Sequence, residues 1–161
     1  MRDTAARFAA GLIVAWLGAC NAVAQTVTLV DATRPEQVLD VAKGFGLATL
    51  DRDSGGDPRI TGRIDGKRYL LLFYGCKQGA GCRDLQFVAI WPAAQSPGLQ
   101  ALNAWHQNKR FGTAYLDKDG DVVLKLPVNI EYGVNPRNLE DSFVWWQVAL
   151  RGFRREVVKE D

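Results

Sequence analysis

Two stretches of the chain set its hydrophobic pattern. Residues 67–74 read Lys-Arg-Tyr-Leu-Leu-Leu-Phe-Tyr and are apolar at consecutive positions. Residues 121–130 alternate, with Val122, Leu124, Leu126, Val128 and Ile130 on one face. The first pattern predicts a strand buried on both sides, the second a strand with one side on a core. Further strands are expected over 47–53, 59–64, 84–91 and 112–116. Asp65-Gly66 is a two-residue hairpin signal between the second and third of these strands. Pro127 cannot donate to a ladder, so 121–130 is expected to be an edge strand or to carry a bulge.

Three segments follow the helical period instead. Thr33-Arg34-Pro35-Glu36 reads as a capping box with proline at the first helical position. Val38, Val41, Ala42 and Phe45 then share one face, and Gly44 and Gly46 supply the stop. A second helix is expected from Ser96 as N-cap and Pro97 to about Lys109, with Leu99, Leu102 and Trp105 as its core stripe. Asn135-Pro136 opens a third. In it Leu139, Phe143, Trp146, Leu150, Phe153 and Val157 recur at alternating spacings of four and three. The element order is α-β-β-β-β-α-β-β-α, an α+β fold with a mainly antiparallel sheet and its helices packed on one face. One domain is expected over 35–157, after an extended lead-in at 25–34 and before a tail at 158–161. The doubly apolar third strand implies that something, such as a second copy of the chain, covers the other sheet face.

The first 24 residues have a different character. Arg2 and Arg7 precede the apolar run Phe-Ala-Ala-Gly-Leu-Ile-Val-Ala-Trp-Leu at 8–17, and Ala22-Val23-Ala24 is a small-x-small cleavage site. This is the layout of a signal peptide cut after Ala24, and the run is shorter than the roughly 20 residues a membrane span needs. Leu17-Gly18-Ala19-Cys20 offers a competing route, a lipoprotein anchored at Cys20. Either route predicts export to the periplasm or beyond, with membrane attachment only if Cys20 is lipidated.

Charge adds little. The 161 residues carry 20 basic and 18 acidic side chains, a net charge of +2. Removing residues 1–24 takes two arginines and one aspartate and leaves the mature chain near neutrality. No block of like charge favours nucleic acid as a partner.

Three cysteines become two in the mature chain, Cys76 and Cys82, with three glycines around them. In an oxidising compartment they are expected to pair as a structural disulfide. A metal site needs more ligands, and a redox pair usually has the tighter Cys-x-x-Cys spacing.

The mature chain resembles the YbjN-domain proteins of bacteria. The resemblance rests on 60–66 (Ile-Thr-Gly-Arg-Ile-Asp-Gly), on 73–76 (Phe-Tyr-Gly-Cys) with 81–83 (Gly-Cys-Arg), and on 85–87 (Leu-Gln-Phe). It continues through 102–105 (Leu-Asn-Ala-Trp), 110–117 (Arg-Phe-Gly-Thr-Ala-Tyr-Leu-Asp), Gly120-Asp121 and Gly133-Val134. It implies a fold like that of type III secretion chaperones, which often dimerise, and a sensory or regulatory role without an agreed catalytic activity. Two positions depart from the pattern: His106 stands where relatives have asparagine, and Pro127 where an acidic residue is common.

The remaining chemistry is thin. Asp117-Lys118-Asp119-Gly120-Asp121 resembles the start of a calcium loop, but Val128 stands where an EF-hand needs its glutamate, so a polar turn is the better reading. No phosphate-binding loop or nucleophile elbow occurs. No catalytic, cofactor-binding or metal-binding residue is therefore expected, and His106 is the sole candidate if the protein were an enzyme. The expected function is an exported, chaperone-like or regulatory binding module for an unidentified protein partner or a second copy. The rival is a small-ligand sensor with its ligand between the sheet and the long helix. Trp145, Tyr74 and Trp105 are the candidate partner-binding residues, since exposed aromatic side chains dominate binding energetics.

Overall fold

The structure, a computed structural model, describes residues 28–160. The expected signal segment, its cleavage site and Cys20 lie outside the described residues. Six strands, β1 (Ala48–Arg52), β2 (Pro58–Ile64), β3 (Lys67–Tyr74), β4 (Asp84–Trp91), β5 (Thr113–Leu116) and β6 (Val122–Asn129), form one antiparallel sheet in the order β1-β2-β3-β4-β6-β5. Helices α1 (Pro35–Lys43), α2 (Leu99–Asn108) and α3 (Pro136–Phe153) complete the expected element order. The lead-in joins at Val30, which bridges to Val134.

The helical face of the sheet is the core. Ile60, Tyr69, Leu71, Phe87 and Leu124 point from the strands toward α3, whose whole expected stripe from Leu139 to Phe153 is buried. Phe87 stands edge-on to Phe143, ring centroids 4.8 Å apart, and stacks on Trp146 at 5.3 Å. These rings fill the space between sheet and long helix. Tyr69 packs there too, over Gly62, where a Cβ would meet its hydroxyl at 2.5 Å. That hydroxyl has no hydrogen-bond partner among the described residues, and burial pushes its pKa up to about 12.

The hairpins follow their sequence signals. Asp65 and Gly66 both take positive φ, as a two-residue β2–β3 turn requires. The turn is clamped to α3 and the residue that follows it: the Asp65 carboxylate accepts from Arg151 and Gln147, and the Asp65 carbonyl accepts from Arg154 at 2.9 Å. Cys76 and Cys82 are bonded across the β3–β4 connection, with Gln78 and Gly79 at positive φ in the turn between them. Arg52 donates to the carbonyls of Gly56 and Gly79, tying this loop to the β1–β2 turn.

Four local expectations need correction. Thr33 does not cap α1: its amide and hydroxyl both bond Asp31, and Arg34 occupies the N-cap without a side-chain bond. Ser96 and Pro97 do not start α2. A short 3₁₀ turn fills Ala93–Gln95, and Gly98 at φ 79° becomes the N-cap, so α2 begins at Leu99. Leu99 consequently leaves the core stripe and is 66% exposed. Finally, β6 is not an edge strand; it lies between β4 and β5. Pro127 lies opposite Gln86 on β4, but β5 reaches only Lys125 on β6, so on its other side no strand stands beside Pro127 to need its missing donor.

Candidate functional site

The face of the sheet away from the helices is built by the alternate strand positions. Across the strands, Leu70 lies opposite Val88 and Val88 opposite Lys125; Leu72 is opposite Gln86, and Ile90 is opposite Val123, itself opposite Tyr115. The apolar members form a diagonal strip from Tyr74 to Tyr115. Among the described residues no helix covers it, so none of them supplies the cover expected on this side. Ile90, Tyr115 and Tyr74 remain 46%, 41% and 45% exposed.

Charge on this face is graded along the strands. Arg63 and Arg68 pair in register at the β2–β3 turn end. The opposite end carries Asp84, in register with Tyr74, whose hydroxyl pKa is raised first by burial, then by Tyr115 and last by the charge of Asp53. Between them Asp51 and Arg59 neutralise each other in a bidentate pair at 2.9 and 3.0 Å. Lys125 stands 5.0 Å from the Tyr115 ring centroid.

A second surface lies on the outer flank of α3. The loop after α2 folds back against this helix and leaves a groove of about 440 Å³. Trp105 forms its floor, nearly buried and held by an indole N–H bond to the Gly112 carbonyl at 2.7 Å. Phe111 and Trp145 form one wall, ring centroids 4.4 Å apart, and the Trp145 indole N–H donates to Asp141. Thus Trp105 and Trp145, both singled out from sequence, meet in one groove, while Tyr74 belongs to the sheet face. Sequence reading missed Phe111 and Arg110. An aromatic beside a basic residue just before Gly112 was the available signal, read only as part of the 110–117 motif of the family resemblance.

The two titratable candidates from sequence have plain structural explanations. His106 Nε2 lies 3.2 Å from the amide nitrogen and 2.9 Å from the carbonyl of Ala114, on the outer edge of β5. One ring nitrogen serves one of these at a time, so His106 caps an edge strand that would otherwise present unpaired backbone. Asp117 accepts from the amides of Asp119 and Asp121 at 2.9 Å each and so closes the β5–β6 turn.

At the chain's other end the Glu160 carboxylate accepts from the Trp91 indole at 2.7 Å, beside Lys67 and Arg154. Burial pushes the Glu160 carboxyl up, but the indole bond and the two cations outweigh it and hold it below the ordinary value.

Among the described residues no helix is long and apolar enough to cross a membrane. No curated protein matches the chain. The family model YbjN, described as "Putative bacterial sensory transduction regulator", matches residues 34–159, from the N-cap of α1 to the residue before Glu160. With that match spanning most of its length, the chain belongs to the YbjN family.

Proposed function

We propose that the protein is an exported, non-catalytic regulatory binding module that works as a homodimer, two copies packing through their uncovered sheet faces. The apolar strip of Leu72, Leu70, Ile90 and Tyr115, half-buried or exposed around the buried Val88, carries this reading, since an uncovered apolar patch of this kind marks an association surface. The charge gradient favours a second copy as its occupant. A two-fold axis across the strands lays the Arg63/Arg68 end of each copy over the Asp53/Asp84 end of the other, as a self-complementary interface demands. The family's regulatory description and the edge-capping role of His106 agree with binding rather than catalysis. Export rests on residues 1–24, with cleavage after Ala24 and lipid attachment at Cys20 as the competing route.

Light scattering on the mature chain at micromolar concentration tests the assembly. A dimer mass is expected, and Ile90→Arg should reduce it to a monomer with unchanged circular dichroism. A strictly monomeric wild type would sink the reading. N-terminal sequencing of the exported protein should begin at Gln25.

A further inference from the structure

The groove beside α3 is far from neutral. Lys109, Arg110, Arg151 and Arg155 line it, against one lining carboxylate, Glu156. Glu156 is already engaged by Lys109 at 2.6 Å and by Arg155 at 2.9 Å. Two further carboxylates sit at the rim, Asp65 holding Arg151 and Asp141 holding the Trp145 indole. Arg110 has no carboxylate partner among the described residues; its guanidinium lies 5.2 Å from the Phe111 ring centroid. The groove therefore combines an aromatic floor and wall, an exposed aliphatic lip at Val148, and a guanidinium free to accept an anion.

We propose that this groove binds a soluble, single-chain carboxylate with an apolar body. The volume is that of a small-molecule site rather than a macromolecular interface. The body would lie on Trp105 and Trp145, and the carboxylate would take a bidentate bond from Arg110, whose planar fork matches it. Lys109 and Arg155 are occupied by Glu156 and Arg151 by Asp65, which leaves Arg110 as the lining cation for the carboxylate. This site is separate from the sheet face, and dimer formation is not needed for it.

The test uses the mature protein and decanoate below its micellar concentration, with binding read from the indole N–H resonances of Trp105 and Trp145. Decanoate should shift both resonances saturably. Decanol, with the same body and no charge, should bind about tenfold more weakly, the value of one lost charge-assisted bond. Arg110→Gln should weaken decanoate by a similar factor while leaving decanol unchanged, which separates head recognition from misfolding. Acetate should shift neither resonance. Equal binding of decanol and decanoate, an unaltered decanoate affinity in Arg110→Gln, or indole shifts appearing only with phosphatidylglycerol vesicles would each overturn the proposal. Because the readout is local to the groove, a monomeric protein that still binds decanoate would overturn the dimer and leave this site standing.

Discussion

The uncovered sheet face and the groove beside α3 are both apolar surfaces of one small domain, built in opposite ways. The sheet face is made of strand side chains whose positions the ladder dictates, and its charges lie at its two ends. The groove is made by a loop closing on a helix. Its indoles are aimed by single hydrogen bonds, Trp105 to Gly112 and Trp145 to Asp141, and its charges surround the apolar floor. A flat surface with end charges suits another extended surface. A concave one ringed by cations suits a small anion. The contrast also separates burial from exposure within each: Leu71 and Trp105 belong to the core, while their neighbours Leu72 and Trp145 face outward.

That separation can be broken by mutation. The largest effect is expected at the groove floor. Trp105→Ala should destabilise by about 3–5 kcal/mol, as the removal of a buried aromatic does, while Trp145→Ala should cost about 1 kcal/mol or less; urea unfolding reads both. If the two cost the same, floor and wall are not distinct. On the sheet, Leu71→Ala should cost about 2–5 kcal/mol. Leu72→Ala should change monomer stability by only about 1 kcal/mol and instead raise the dimer dissociation constant in dilution experiments. Opening the disulfide with Cys76→Ser and Cys82→Ser should cost about 2 kcal/mol by the chain-entropy estimate for so short a loop. Because that loop borders Tyr74 and Asp84, thermal melts should drop and the dimer weaken, with the groove resonances unmoved.

Tyr69→Phe should go the other way. The buried hydroxyl lacks a partner, so its removal is expected to stabilise by up to about 1 kcal/mol in the same urea assay. The smallest effect is acidic titration. The hydrogen bonds and charge of Arg151 hold Asp65, and those of Lys109 and Arg155 hold Glu156, below ordinary carboxylate values. A depressed folded pKa contributes stability above the unfolded value, about 4, and loses it as pH falls through the folded one. Both groups are largely solvated, so the loss between pH 5 and pH 2 should stay below about 1 kcal/mol each in pH-dependent unfolding; Asp65→Asn should flatten part of it.

Most of the fold was legible because most of its signals are local. The α3 stripe, the Asp65-Gly66 hairpin and the β3 and β4 boundaries follow from periodicity and turn chemistry within a few residues. The α2 start was misread because Ser96 has a proper capping side chain but spends it on the amide of Gly98, while Gly98 carries the φ that actually begins the helix. Of the candidate surfaces, only single aromatic residues could be named beforehand. A chain lists its indoles one at a time, and only folding reveals which two line one groove.

By itself the sequence determined the element order, which face of α3 is buried, and that β3 is apolar on both sides. The tertiary structure alone decided that β6 enters between β4 and β5, that no helix among the described residues covers β3's second face, and that Trp105 and Trp145 line one groove. The reason is physical: side-chain periodicity reports whether a position leaves water, whereas the partner it meets depends on pairing between segments far apart in the chain.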